Sequence, residues 1–252
     1  MVKMNFDKII AVRNNKTIFR DNDKCIKLFG KDYPKDDILN EALNQARIER
    51  TDINVPKILS VESFDGKWAI VSEYIKGKTV AQLMQENPDK KDEYLNRIVD
   101  IQIDIQSKKS PLLNRQRDKF ARKIMACDLD ATTRYDLLTR LESMPKHEKI
   151  CHGDFNPSNV IIDENDKAYI IDWSHVTQGN ASADVARTYL LFWLNGDING
   201  AKKYLDLFCQ KTGTDKKYVQ KWMPIVAASQ LVKGNEKERE FLHSWINVVE
   251  YE

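Results

Sequence analysis

The 252-residue chain carries almost no surplus of either charge: 40 Lys and Arg face 38 Asp and Glu, a formal net charge of +2. That balance leaves no electrostatic footprint for nucleic acid or an anionic membrane. Long apolar runs are also missing. "YLLFWL" is far too short to span a bilayer, and the opening "MVKMNFDKIIAV" lacks the apolar stretch of a signal peptide. The four cysteines, Cys25, Cys127, Cys151 and Cys209, stand far apart with no C-x-x-C. Such spacing argues against a disulfide framework or a zinc site, and the four histidines form no spaced cluster with them. Reduced thiols and a cytoplasmic location are expected. Internal repeats and low-complexity linkers are absent as well. What is present is a 42% apolar, 31% charged composition, enough to bury the core of one large domain or two lobes.

Residues up to about 76 predict a small sheet with one helix. "DKIIAV", "KTIFR" and "KCIKLF" are short β-prone runs separated by polar turns. "KDDILNEALNQARIER" has helical spacing, with Ile38, Ala42, Gln45 or Ala46, and Glu49 in step, and Pro56 forbids its continuation. "KILSVESF" and "KWAIVSEYI" bracket Asp65-Gly66, a hairpin signal. A hinge is expected near Glu73 to Gly77. Beyond it the pattern turns helical: "TVAQLMQEN", then "KDEYLNRIVDIQIDIQS" with Tyr94, Ile98, Ile101 and Ile105 on one face, then helices over 115–126 and 131–143. After Ala181 the chain reads as four helices, "ADVARTYLLFWL", "NGAKKYLDLFCQKTG", "DKKYVQKWMPIVAASQLV" and "EKEREFLHSWINVVE", with Gly213 as a stop and Thr214 as an N-cap. The fold class is therefore α+β and bilobal, with a small antiparallel-sheet lobe over 1–76 and a mostly helical lobe over 77–252.

One stretch interrupts the helices. In "CHGDFNPSNVIIDENDKAYIIDW", two apolar runs flank the turn "ENDK" as an isolated hairpin. Asn159 starts the first strand and Asp172 ends the second, so antiparallel pairing brings them close, with Asp154 one loop away. An amide oxygen and a carboxylate placed so are hard oxygen ligands suited to Mg²⁺, which completes its shell with waters and phosphate oxygens. Carboxylates at strand ends also need a cation. Lys27 in "KCIKLF", facing away from Ile26 and Leu28, offers one; Glu41, or Glu49 two turns on, offers to orient it. Lys, Glu, Asp, Asn and Asp in this order are the parts of a phosphoryl-transfer site. The plain alternative is that Asp154 and Asn159 only cap turns.

"HGDFNPSN" followed by "IIDW" resembles the aminoglycoside phosphotransferase and choline kinase-like family, relatives of the protein kinases, and "EALNQARIER", "VSEYIKGKTV" and "ADVARTYLLF" extend the resemblance over nearly the whole chain. It implies a kinase-like fold, ATP with Mg²⁺, and a hydroxylated small-molecule acceptor. It further implies that Asp154 orients or deprotonates the acceptor hydroxyl, that Asn159 and Asp172 hold Mg²⁺, and that Lys27 meets ATP phosphates. Backbone around Ser72 to Tyr74 would meet adenine, and Asp184 would brace the catalytic loop through His152.

The departures bear on the acceptor. "RNNKTIFR" has no G-x-G-x-x-G, Asn156 and Gly153 stand where protein kinases carry Lys and Arg, and no A-P-E follows Asp172. The short segment between Asp172 and Asp184 disfavours a protein substrate. An aminoglycoside-resistance kinase and a silent nucleotide-binding protein are the alternatives. Aminoglycosides are polycations and call for clustered carboxylates. From His175 on, acidic and basic residues nearly balance and form no acidic cluster, although Asp197, Glu236, Glu240 and Glu250 could converge in space; a less highly charged hydroxylated metabolite is expected instead. Of the aromatic residues Tyr189, Phe192, Trp193, Tyr204, Trp222 and Trp245, most are expected in helix core, with a cation box as the minority alternative. The choice of ATP over GTP and the oligomeric state stay open.

Overall fold

The computed structural model describes residues 8–13 and 15–247. Residues 1–7, 14 and 248–252, which include parts of the runs "DKIIAV", "RNNKTIFR" and "EKEREFLHSWINVVE", lie outside the described residues. The elements in chain order are β1 (Lys8–Arg13), β2 (Lys16–Asp21), β3 (Lys24–Phe29), α1 (Lys35–Ile48), β4 (Ile58–Phe64), β5 (Lys67–Glu73), β6 (Gly77–Thr79) and α2 (Val80–Glu86). They continue with α3 (Lys91–Ser107), α4 (Gln116–Ala126), α5 (Ala131–Ser143), β7 (Lys149–Cys151), β8 (Val160–Asp163), β9 (Ala168–Ile170) and β10 (Thr177–Gly179). The chain closes on α6 (Ala181–Leu194), α7 (Ile198–Thr212), α8 (Lys216–Gln220), α9 (Met223–Leu231) and α10 (Glu236–Ile246). Contacts divide it into two compact units, one running to Leu83 and taking in Ser158–His175, the other Met84–Pro157 and the chain from Val176. The fold is α+β, as expected.

In the first unit β1-β2-β3-β5-β4 form an antiparallel sheet. Strand alternation sorts its side chains into two layers. Ile26, Ala69 and Val71, with Phe19 and Leu28, fill one; Phe29 and Ile70 join Ile38 and Ala42 of α1 in the other. The β4–β5 turn has Asp65 and Gly66 at φ 48° and 72°, the left-handed pair expected of a tight hairpin.

The expected isolated hairpin is one strand larger. β8 pairs with β9 from Val160↔Ile170 to Ile162↔Ala168, and β6 pairs with the outer side of β8. Gly77 permits this: a Cβ there would sit 2.2 Å from the Ile162 carbonyl oxygen. The turn is closed by the Asp163 carboxylate, which accepts from the Asn165 and Lys167 amides at 2.9 and 2.8 Å.

The second unit is helical apart from the β7–β10 pair. Side-chain caps fix where several helices start. Asn180 accepts from Ser182 for α6, Asp197 from Gly200 for α7, Asp130 from Thr133 for α5. Gly213 ends α7 at φ 68°, as expected, but the next cap is Asp215, one residue after Thr214, its carboxylate accepting from Lys217. The single helix expected over 215–232 is two, because Pro224 lacks the N–H a continuous helix needs and instead sits in the first turn of α9. In α3 the buried stripe is Leu95, Ile98, Val99, Gln102, Ile105 and Gln106, rotated from the expected face. The reason is polar: Gln102 and Gln106 are drawn inside by a buried carboxylate.

Candidate active site

Lys27 shares the α1 face of β3, opposite Ile70. The inward stripe of α1 runs through Ile38, Glu41, Ala42, Gln45 and Ile48, so a carboxylate arrives in an apolar layer where only a cation offsets it. Lys27 Nζ donates to Glu41 Oε1. Glu49, the alternative, accepts the Ile58 amide at 2.7 Å and so closes the loop from α1 to β4.

Asp172 follows β9 at φ 63°, a left-handed conformation that Asp tolerates better than most residues. Its carboxylate lies 3.6 Å from Lys27 Nζ and 3.7 Å from Lys16 Nζ, and accepts from Ser174 Oγ at 3.1 Å. Burial opposes the charge on Lys27, but Asp172 and Glu41 outweigh it and raise its pKa above the ordinary lysine value. Lys16 was not anticipated; its only sequence signal is its place at the start of the strand beside β3. Asn159 is brought to the same strand end by the bond from the Ile171 amide to its carbonyl, 3.0 Å. Among the described residues no three His, Cys, Asp or Glu side chains cluster as a metal site. A carboxylate and an amide on residues joined at one strand end are hard oxygen donors, the kind Mg²⁺ takes alongside water and phosphate, so the residue types fit that ion.

Ser72 and Tyr74 stand at the end of β5. The Glu73 and Tyr74 amides already donate to the carbonyls of Lys57 and Asp23, at 2.9 and 2.8 Å, and the Arg20 guanidinium lies 4.4 Å from the Tyr74 ring centroid.

In the second unit, Gly153 turns the loop at φ 79°, where a side chain would be strained. Its amide donates to Asp184 Oδ1 at 2.7 Å, while Asp184 Oδ2 accepts from Gln102 and Gln106 at 3.0 and 3.3 Å. The expectation tied Asp184 to this loop through His152; the contact seen here is with the Gly153 amide. His152 has its own part: Nδ1 accepts the Asp154 amide at 3.3 Å, and its ring stands edge-on to Phe155. Tyr204 donates its hydroxyl to Gln102, and Thr188 Oγ1 donates to the Phe155 carbonyl at 2.9 Å. Asn156 Nδ2 donates to the Asp154 carbonyl at 2.9 Å. Asp154 Oδ1 is 3.3 Å from Arg187 Nη2, and Arg187 Nη1 donates to Gln230 at 2.7 Å.

Gln102, Gln106 and Arg187 escaped the sequence reading. The signal for Arg187 was available: a lone cation in an apolar helix, one turn after Asp184. Of the acidic candidates, Asp197 is taken by Lys91 at 2.7 Å and by its cap, and Glu236 lies 3.9 Å from Arg239; Glu250 is outside the described residues. The aromatic residues pack chiefly on one another, Phe192 on Tyr204 and Tyr189, Trp193, Phe241 and Trp245 in one group.

The sequence profile described as the phosphotransferase enzyme family matches residues 9–218. The chain belongs to that family. It is accordingly a phosphotransferase, a kinase of small molecules. A search of curated protein sequences finds no match. Solved structures share the fold at low identity. A thermostable mutant of aminoglycoside phosphotransferase APH(4)-Ia, in ternary complex with AMP-PNP and hygromycin B, is 16% identical over 94% of this chain and 90% of its own, with a TM-score of 0.67. ADP-bound aminoglycoside phosphotransferase APH(2'')-Ib is 17% identical over 97% and 92%, TM-score 0.63. Choline kinase LicA from Streptococcus pneumoniae is 17% identical over 92% and 84%, TM-score 0.57. No helix among the described residues is long and apolar enough to cross a membrane.

Proposed function

We propose that the chain transfers the γ-phosphoryl group of ATP, as its Mg²⁺ complex, to a hydroxyl of a small metabolite in the cytoplasm. The observation that carries this reading is Lys27, held by Glu41 and within 3.6 Å of Asp172. A lysine so fixed offers a permanent positive charge to phosphate oxygens, and Lys16 beside it offers a second. Asp172 and Asn159 are the residues that would hold Mg²⁺, which would supply neutralisation of phosphate charge. Adenine meets the end of β5 at Ser72 to Tyr74 through carbonyl oxygens, because the Glu73 and Tyr74 amides are engaged by the carbonyls of Lys57 and Asp23.

Asp154 takes the proton of the acceptor hydroxyl as its oxygen bonds to the γ-phosphorus and the bond to ADP breaks. Its orientation comes from Arg187 and from the loop that Asp184 and His152 fix. In this division of labour residues 1–76 bind the nucleotide, and 77–252 hold its metal ion and the acceptor and carry out the transfer. The AMP-PNP and ADP complexes of the relatives support the choice of nucleotide.

The test is ADP release from the full chain over a panel of hydroxylated acceptors, with ATP or GTP, and with or without Mg²⁺. Saturable, acceptor-dependent turnover that requires Mg²⁺ and prefers ATP is expected. Turnover indifferent to the metal would overturn the assigned roles of Asp172 and Asn159.

A further inference from the structure

The surroundings of Asp154 are basic. Lys119 and Lys123 stand one turn apart on α4, so they share a face. Lys123 Nζ donates to the carbonyl of Ser229 on α9 at 3.4 Å, and the next residue, Gln230, holds Arg187. Three helices thus bring cations to one place, and Arg187 fixes that place at 3.3 Å from Asp154. Lys119, Lys123 and Arg187 are half-buried or buried rather than extended into water.

Four cations gather there with three carboxylates. Lys119, Lys123, Arg187 and Lys233 face the carboxylates Asp154, Asp184 and Glu238. Asp184 is committed to the Gly153 amide and two glutamines, and Glu238 to the amides of Gln230 and Asn235. Burial, then the charges of Lys123 and Arg187, lower the Lys119 pKa to about 7; burial, then Arg187 and Lys233, lower that of Lys123 to about 8. Such groups gain from an anion that shares their site.

We propose that Lys119, Lys123 and Arg187 form a subsite for an anionic group, a phosphate or a carboxylate, carried by the hydroxylated acceptor beside Asp154. The inference rests on the phosphotransferase reading and narrows its acceptor to a class opposite in charge to an aminoglycoside or choline. The anion fixes the acceptor at one end; the hydroxyl at the other end reaches Asp154. Transfer then makes the O–P bond at that hydroxyl, releases ADP, and leaves the proton on Asp154.

The full chain is assayed with Mg-ATP against separate pools of sugar phosphates, hydroxy acids, neutral sugars, and amine-bearing acceptors including aminoglycosides and choline. ADP release confined to the first two pools is expected, and the pool that responds decides between phosphate and carboxylate. Lys119→Gln and Lys123→Gln should each raise the acceptor KM about 10-fold, the weight of one charged hydrogen bond, with the ATP KM unchanged. Lys123→Arg should restore most of it. Turnover of neutral or amine-bearing acceptors at the lower KM, or a change in the ATP KM alone, overturns the subsite while leaving the kinase reading intact. If no pool turns over, the kinase reading fails separately. The subsite is then judged by calorimetry with inorganic phosphate at pH 6.5 under saturating Mg-ADP. Weaker binding by the Gln variants supports it, and equal or absent binding in wild type and variants refutes it.

Discussion

At the scale of single residues, Asp172 and Asp154 carry different tasks, and substitution separates them. Asp172→Asn keeps a residue that tolerates φ 63°. It should fold, yet bind Mg-ATP more weakly than Asn159→Ala does, because a carboxylate holds a divalent ion more strongly than an amide. Calorimetry on both variants reads the difference, and equal affinities would contradict it. Asp154→Asn should keep Mg-ATP affinity but lose about 10²- to 10⁴-fold in turnover, the usual weight of a positioned proton acceptor. Single-turnover measurements check this; a variant within a few-fold of wild type would remove Asp154 from the chemistry. The motif residues were legible because a strand-end Asp and an Asn five residues after another Asp are rare without a reason. Lys119 and Lys123 were not, because cations on helices are usually solvated. Only the packing of α4 against α9 distinguishes these two.

At the scale of elements, α1 shows how one helix serves two ends. Glu41 meets Lys27, and Glu49, two turns on, meets the Ile58 amide. Glu41→Gln should therefore raise the ATP KM with little change in Tm. Glu49→Gln should do the reverse, lowering stability by about 1 kcal/mol as a charge-assisted bond becomes a neutral one. Steady-state kinetics and thermal unfolding of the pair decide it, and matching effects would undo the assignment. Periodicity revealed most helices, since α1 and α3 to α7 carry apolar residues at helical spacing. It misjudged the inward face of α3, where Gln102 and Gln106 are buried because Asp184 needs donors. A hydropathy pattern cannot register that need. It also missed β6, β7 and β10, three residues each, too short to show alternation.

At the scale of the whole molecule, the basic cluster sets how stability varies with pH. The folded pKa values of Lys119 and Lys123, about 7 and about 8, lie below the ordinary 10.5. Between those limits the unfolded chain binds more protons than the folded one, so stability rises with pH. The thiols act the other way. Burial raises Cys25, Cys127, Cys151 and Cys209 above their ordinary 9.0, so above that value the unfolded chain ionises first and stability falls. The two effects place the clearest window between pH 7 and pH 9, where Tm should climb. The Lys119→Met, Lys123→Met double variant should flatten the climb, since an apolar chain of similar length keeps the packing without the charge. Phosphate added at pH 7 should also flatten it, because an anion bound to the charged cluster stabilises the folded form where the lysines are protonated. Thermal unfolding in matched low-salt buffers separates these contributions. A wild-type profile flat from pH 7 to 9, or a climb that survives in the double variant, would mean that the lysines sit in water and that Arg187 alone stands beside Asp154 to meet an acidic acceptor.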